Sequence, residues 1–204
     1  MTPIANEDGR AYRSELRAQQ AATTRERILD ATTRVMAGGL ADLTVPAVAR
    51  AAGVSVPTVY RHFRTKRDLL AALQPHLQQR AGIDRIAPPA SIDELRGFLV
   101  SLLGSMDGLD DEMRAALASP AAEEVRRMHA PNRFKLARRL VDGIAPELSE
   151  ADRDLVARLL VVLTSSSTLR IWRDHFRASV EEIADDIDRT LRAAIAAAKR
   201  ETPR

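Results

Sequence analysis

The sequence predicts an all-α protein with two helical domains, and three observations support this prediction. No segment shows a sustained alternation of apolar and polar residues bounded by turn residues, the pattern expected of β-strands. Apolar residues recur at helical spacing instead, and several such stripes follow a hydroxyl residue with a carboxylate three positions later. Gly82, Pro88 and Pro89 interrupt these stripes, so we expect a loop over residues 81–90 between an N-terminal and a larger C-terminal domain.

Pairs of a hydroxyl residue and a carboxylate mark the predicted helix starts, because each side chain can bond the backbone N–H next to the other. A first helix is expected over residues 24–37, ended by Gly38 and Gly39. A later helix that begins at Lys66 meets Pro75, which either ends it or kinks it. The five pairs are Thr23/Glu26, Thr65/Asp68, Ser91/Glu94, Ser149/Asp152 and Ser179/Glu182.

Residues 44–70 have the pattern of two short helices joined by a tight turn. Thr44 can cap the first helix by accepting the amide N–H of Ala47. Gly53 follows this helix directly, where a left-handed backbone lets the chain reverse, and Ser55 can cap the second helix. The apolar stripe of the first helix consists of Val45, Val48, Ala49 and Ala52. The segment is therefore interpreted as a helix-turn-helix.

The second helix of this pair has an unusual polar edge. Val59 and Phe63 share one face and are expected to hold the helix to the core, while Pro57 and Arg61 point the opposite way. A buried structural helix does not need such an edge, whereas a helix that enters the major groove of DNA does. Arginine can bond guanine through both O6 and N7, and proline and threonine can contact thymine methyl groups. Tyr60, His62 and Lys66 can donate to phosphates.

One string of residues carries a family resemblance: Leu43, Thr44, Val48, Ala49, Ala52, Gly53, Val54, Ser55, Thr58, Val59, Tyr60, Arg61, His62, Phe63, Lys66, Arg67, Asp68, Leu69 and Leu70. At this spacing the chain resembles the TetR (tetracycline-repressor-like) family of bacterial transcription regulators over roughly residues 23–72. The resemblance implies an all-helical homodimer that binds a double-stranded DNA operator and releases it when a small molecule enters the second domain. It also implies a recognition helix over about Val56–Phe63.

The resemblance assigns roles to individual side chains. The implied phosphate contacts are Thr44, Tyr60, His62 and Lys66, and the implied base-facing edge is Val56, Pro57, Thr58 and Arg61. Ser55, which caps the recognition helix, completes the predicted DNA-binding set. Pro46 stands where some members place a base-contacting side chain, so that contact is expected to be missing here. The corresponding division of the chain is a flexible N-terminal arm over 1–22, a DNA-binding domain over 23–80, and a ligand-binding and dimerisation domain over 81–204.

Composition agrees with a globular DNA-binding protein. The chain has 204 residues, of which 45% are apolar and 29% charged. Residues 1–80 contain 12 Lys/Arg and 7 Asp/Glu, a net charge of +5, whereas residues 81–204 contain 19 and 21, a net charge of −2. A basic excess beside the helix-turn-helix fits DNA binding, although Arg61, Arg64, Lys66 and Arg67 also fit a solvated face.

Several classes of protein are not expected. The absence of cysteine excludes disulfides and thiolate metal sites, and the four histidines lack the spacing of a zinc site. We find no phosphate loop, nucleophile elbow or acid–base pair, and so predict no enzyme, no cofactor and no metal. We see no secretory signal, and the apolar segment between Arg158 and Arg170 is short and rich in Ser and Thr. We therefore expect a cytoplasmic protein without a membrane segment.

The C-terminal half is predicted to form the partner surface. Two long helices are expected over about 149–175 and 179–200, and the second carries an apolar stripe along its whole length. This stripe can bury against the chain's own core, but the apolar girth of the preceding helix favours a four-helix seam in a homodimer. The hydroxyl run 164–168 can let helices pack closely or can face a cavity, and we favour packing.

A ligand pocket is predicted among the large side chains of the second domain, since small-molecule pockets are mostly apolar with a few polar groups. The candidates are Phe98, Leu102, Met106, Met113, Leu117, Met128, Phe134, Thr168 and Trp172. Any one of the apolar candidates is more often plain core than a pocket residue, and we expect a small apolar ligand whose identity the sequence does not reveal. The functional prediction is a repressor that binds a palindromic operator. The alternatives are a helical enzyme or carrier with a vestigial N-terminal domain, and a nucleoid or recombination protein.

Overall fold

A computed structural model describes residues 7–38 and 43–201, and these residues form ten α-helices and two short 3₁₀ turns. The helices are α1 Glu7–Ala37, α2 Val45–Ala52, α3 Val56–His62, α4 Lys66–Arg80, α5 Leu95–Asp107, α6 Asp111–Ala118, α7 Pro120–Ile144, α8 Glu150–Leu163, α9 Ser166–Phe176 and α10 Val180–Glu201. The described ranges contain no β-strand, so the all-α prediction is confirmed.

The first helix is much longer than predicted. We expected it to start at Thr24 after a flexible arm over residues 1–22, but residues 7–22 already belong to α1. The hydroxyl of Thr23 donates to the carbonyl of Gln19 at 3.0 Å, which is a bond within a helix rather than a cap at its start. The predicted Thr23/Glu26 start is therefore wrong. Residues 1–6 and Gly39, part of the predicted arm and helix stop, lie outside the described residues.

Three of the other four predicted helix starts are capped as expected. Thr65 and Asp68 form the full reciprocal cap of α4, with both N–H···O distances at 3.0 Å. Ser149 accepts the N–H of Asp152 at 3.2 Å and opens α8, and Ser179 similarly accepts the N–H of Glu182 before α10. The pair Ser91/Glu94 makes no such bond; a 3₁₀ turn over Ile92–Glu94 precedes α5 instead.

Two prolines do not end their helices, and one helix predicted as continuous is divided. A proline inside a helix usually breaks or kinks it, yet α7 continues through Pro131, and α4 continues through Pro75 and so does not end there. The helix predicted over 149–175 is instead two helices, α8 and α9, bent by 57°. The bend occurs at Thr164 and Ser165: Ser165 caps α9 by accepting the N–H of Thr168 at 3.1 Å.

Two clusters of buried side chains hold the helices together. The first is built from α1 to α4 and continues into α6 and the start of α7, so it crosses the domain boundary predicted at residue 80. The second is built from α5, the later part of α7, and α8 to α10. Each cluster removes many aliphatic side chains from water, at about 25 cal/mol for each Å² of apolar surface.

The apolar stripe of α10 lies in the second cluster rather than on the surface. Ile183, Ile187 and Leu191 are almost fully buried among side chains of the same chain, so this stripe packs against the chain's own core. Large apolar side chains of the C-terminal half are exposed on three other helices. They are Leu136 on α7, Leu155 and Val162 on α8, and Ile171 and Phe176 on α9. Of the described residues, no single helix has the length and apolar composition to cross a membrane; α8 and α9 taken together pass that test by length and composition only.

Candidate nucleic-acid interface and internal cavity

The turn between α2 and α3 has the geometry predicted from its glycine. Gly53 is left-handed at φ 64° and ψ 37°, and the N–H of the next residue, Val54, donates to the carbonyl of Ala49 at 3.0 Å. Arg27 of α1 donates to the carbonyl of Ala52 at 2.9 Å, so the last turn of α2 is also bonded to the long first helix. These bonds fix the direction in which the chain enters α3.

Two buried anchors decide which edge of α3 faces outward. Val59 and Phe63 are only 1% and 3% exposed, because they pack into the first cluster as the sequence predicted. Tyr60 is 47% exposed, and Pro57 and Arg61 are exposed as well. Of the predicted base-facing edge, Pro57 and Arg61 are therefore on the surface, whereas Thr58 is half-buried.

The hydroxyl groups around α3 are partly used by the fold itself. Thr44 accepts the N–H of Ala47 at 3.3 Å, as predicted, and Ser55 accepts the N–H of Thr58 at the same distance. The hydroxyls of Ser55 and Thr58 also bond each other at 2.8 Å. Val56 is half-buried against the first cluster, so only part of its side chain is open to contact with another molecule.

His62 lies in a different environment from the other predicted phosphate contacts. Its Nε2 is buried and has no hydrogen-bond partner among the described residues. Burial lowers the pKa of His62 below its ordinary value of 6.5, and the charges of Arg61 and Arg25 lower it further. His62 is therefore neutral at pH 7, whereas Tyr60 and Lys66 are exposed side chains.

The surface around α3 is cationic. Neither α2 nor α3 contains an acidic residue, and the exposed cations Arg61, Arg64, Lys66 and Arg67 lie on or directly after α3. Sequence reasoning missed Arg25 of α1, whose guanidinium carbon lies 5.0 Å from the centre of the Phe63 ring. The signal that sequence reasoning could have used is its position within one turn of the buried residues Ile28 and Leu29.

A cavity of about 610 Å³ lies between the two clusters. Its walls come from α1, α4 to α9 and the loop after α4, and they are mainly apolar. The apolar side chains on these walls include Met36, Leu77, Phe98, Leu102, Met106, Met113, Leu117, Leu140 and Leu160. The volume falls within the usual range for small-molecule sites.

The cavity includes five of the nine predicted pocket residues: Phe98, Leu102, Met106, Met113 and Leu117. Met128 packs instead against the first cluster, and Phe134 and Trp172 pack against the second. The hydroxyl of Thr168 donates to the carbonyl of Val162 at 2.7 Å, across the bend between α8 and α9. Because of this bend, the hydroxyl run splits: Thr164 and Ser166 line the cavity and Ser165 caps a helix.

The polar part of the lining is neutral or positive. It consists of Gln74, Gln78, Thr164, Ser166, Arg126, Arg133 and Arg139. Gln74 and Gln78 project from α4, the helix that follows α3, so the cavity directly contacts the element next to the candidate DNA interface. Within the described part of the chain, no group of histidine and acidic side chains could hold a metal ion.

Comparisons with known proteins agree with this geometry. A family model for bacterial regulatory proteins of the tetR family matches residues 28–73, which contain α2 and α3. The chain is similar to the uncharacterised HTH-type transcriptional regulator TtgW of Pseudomonas putida, with 40% identity over 68 residues. That match covers 33% of this chain and 51% of TtgW, so the chain spans about half the length of this curated relative.

Two solved structures share the fold over nearly their whole length. NalD, the secondary repressor of the MexAB-OprM multidrug efflux pump in Pseudomonas aeruginosa, has a TM-score of 0.59 and 18% identity, with 86% of this chain and 96% of NalD covered. The multidrug binding protein EbrR, complexed with imidazole, has a TM-score of 0.56 and 20% identity, with 88% and 96% covered. At these identities the likeness is evidence for the fold alone.

Proposed function

We propose that this chain is a transcriptional repressor of the TetR family of bacterial regulatory proteins, and that a small molecule releases it from its DNA operator. The observation that carries this proposal is the exposed edge of α3, where Pro57, Tyr60 and Arg61 stand among cations while Val59 and Phe63 hold the helix to the core. An anchored helix of this kind fits the major groove. A repressor works where the chromosome is, so we infer a cytoplasmic location.

Specific and non-specific contacts divide along this edge. Arg61 is the candidate for reading a base, since its guanidinium can bond both acceptors of guanine. Thr44, Tyr60 and Lys66 are candidates for phosphate contacts, which set the register on DNA without reading its sequence. His62 is neutral, so any contact of its ring with phosphate would be an uncharged hydrogen bond from Nδ1.

A homodimer is proposed through the outer surfaces of α8 and α9. Val162 and Phe176 are 60% and 68% exposed, and Leu155 and Ile171 add further apolar surface on the same two helices. Exposing such side chains to water is unfavourable, and covering them with a second copy of the chain would stabilise the dimer. A twofold dimer would present two α3 helices to a palindromic operator whose half-sites lie roughly 34–36 Å apart.

Ligand release is proposed to act through α4. Three residues separate this helix from α3, and its later turns supply Gln74, Leu77 and Gln78 to the cavity. A ligand that displaces the cavity end of α4 would shift the domain that carries α3. A coupling of about 1–3 kcal/mol would change operator affinity roughly 5- to 150-fold, which is sufficient for a switch. EbrR, a protein of the same fold, is known as a multidrug binder, which supports a small molecule in this cavity.

The test is fluorescence anisotropy with labelled duplexes that tile the region upstream of the protein's own coding sequence. Arg61→Ala should weaken the best-bound duplex by about 1–3 kcal/mol and relax preference at one base step, because a two-point contact is lost. Lys66→Ala should weaken all duplexes alike and reduce the salt slope by about one.

The matched controls are Arg200→Ala and Lys135→Ala, which remove exposed cations from the parts of α10 and α7 that pack in the second cluster. Both should leave affinity and salt slope unchanged. Wild-type protein that binds none of the duplexes better than random DNA, or an Arg61→Ala variant with unchanged affinity and preference, would contradict the proposal.

A further inference from the structure

Arg133 of α7 is an arginine in the cavity wall with no acidic partner among the described residues. One of its nitrogens, Nη2, donates to the carbonyl of Val161 in α8 at 2.9 Å, and no further hydrogen bond of this guanidinium forms within the described residues. No carboxylate of the described chain lies within 4 Å of it. The side chain is half-buried and lines the cavity. Since a guanidinium carries five N–H donors, most of its capacity is unused.

Every other half-buried arginine of the described chain pairs with a carboxylate. Arg126, Arg138, Arg153 and Arg192 have partners at 3.0, 2.8, 3.0 and 2.7 Å in Glu123, Asp154, Asp142 and Asp188. Burying a cation costs free energy that a paired anion offsets. Arg133 is the exception to this pattern, and its guanidinium lies where α7 and α8 meet at the cavity wall.

The surroundings of Arg133 increase this cost. Burial lowers the pKa of Arg133, and the positive charge of Arg126 lowers it further, although an arginine stays protonated at neutral pH. The part of the cavity lining that the described residues form includes three arginines and not one acidic side chain. The anion that would complement this wall must therefore come from outside the described chain.

We propose that the cavity takes an amphiphile with an apolar body and a single carboxylate, and that the carboxylate pairs with Arg133. The apolar body would lie against Phe98, Leu102 and Met106. The carboxylate would accept hydrogen bonds from the N–H groups of Arg133 that are not bonded to the carbonyl of Val161. This inference rests on the proposed ligand-responsive function and makes it more specific: the ligand is an acid rather than a purely apolar molecule.

The experiment compares decanoate with decanol by isothermal titration calorimetry, because the two probes have the same chain and differ in charge. The wild-type protein should bind decanoate at least about tenfold more tightly than decanol, as expected for charge-assisted hydrogen bonds to a half-buried guanidinium. Arg133→Gln should remove this preference and leave decanol binding within about twofold of wild type. Arg133→Lys should keep part of the preference, since it keeps the charge.

Arg127→Gln is the control, because it removes an exposed arginine from the same helix. It should keep the full preference for decanoate. Equal binding of both probes by the wild type, or no binding of either, overturns the proposal, and neither result depends on how a variant folds. Equal loss of both probes in Arg133→Gln also overturns it, because Arg133 would then only support α8.

Failure of this inference is distinguishable from failure of the proposed function. Anisotropy with the upstream duplexes measures operator binding without any ligand. If the protein binds its operator but does not prefer decanoate, the proposed acid site is wrong and the proposed repressor function stands. If it prefers decanoate but binds no duplex, the proposed acid site stands and the proposed repressor function is wrong.

Discussion

Two regions of this chain differ in how closely they are packed: the core beneath α3, and the space between the two clusters. Beneath α3 the side chains are closely packed, and the anchors Val59 and Phe63 turn the polar edge of the helix toward solvent. Between the clusters the packing leaves a cavity of about 610 Å³, whose walls include Met36 and Met113 of the first cluster and Leu160 of the second. In the proposed function, DNA recognition would depend on tight packing beneath a helix, and ligand recognition on packing that is left incomplete.

The largest expected effect is a contrast between the same deletion made in each region. Leu73→Ala, at a fully buried position in the first cluster, should lower the free energy of unfolding by roughly 2–5 kcal/mol. Leu102→Ala, at a half-buried position on the cavity wall, should cost less than half as much, because a side chain beside a void has fewer contacts to lose. Urea unfolding followed by circular dichroism measures both. Equal costs would mean that the cavity wall is packed as tightly as the first cluster.

A smaller effect is expected from adding one methyl group to a glycine in each region. Gly53→Ala should destabilise the protein by roughly 1–2 kcal/mol, since alanine is strained at a φ of 64°. Gly97→Ala in α5 should be neutral or stabilising by up to about 1 kcal/mol, because nothing lies within 4 Å of the added carbon. Thermal unfolding of both variants provides the comparison. A harmless Gly53→Ala would show that the turn before α3 is not fixed by its backbone.

The smallest effect separates two threonines that share one sequence pattern. Thr65→Ala should cost about 1 kcal/mol, because it removes the cap that opens α4 directly after α3. Thr23→Ala should be neutral or slightly stabilising, since Thr23 is exposed within α1 and alanine is a better helix former. Urea midpoints should resolve the difference. If Thr65→Ala were also neutral, the cap would contribute little to the stability of the DNA-binding domain.

The elements that the sequence predicted best are those fixed by local backbone chemistry. The cap at Thr44, the left-handed Gly53 and the anchors of α3 each follow from residues within one or two turns. Thr23 misled the prediction because a threonine followed by a glutamate also occurs inside a helix, where the hydroxyl bonds the carbonyl four residues earlier. Pro131 was tolerated because one missing N–H in a helix of 25 residues can be outweighed by packing on both sides.

The candidate sites divide in the same way. The outward edge of α3 could be predicted, since the periodicity of one short helix decides which side chains face solvent. The cavity could be predicted only in part, because its walls come from segments far apart in the chain. Trp172 and Phe134 were large enough to suggest a pocket, but the bend between α8 and α9 and the packing of the second cluster place them outside it. Arg133 was missed because its lack of a partner becomes visible only once the helices are packed.

Pro75 makes one turn of α4 easier to bend than the rest of the helix. Proline has no N–H to donate to the carbonyl of Ala71, so α4 resists bending least at this turn. Leu73, just before this turn, packs in the first cluster, and Gln78, just after it, lines the cavity. In the proposed switch, a molecule bound in the cavity would partly flex this single turn and partly rotate the domain that carries α3. The stiffness of the turn would then set how much of the displacement reaches DNA.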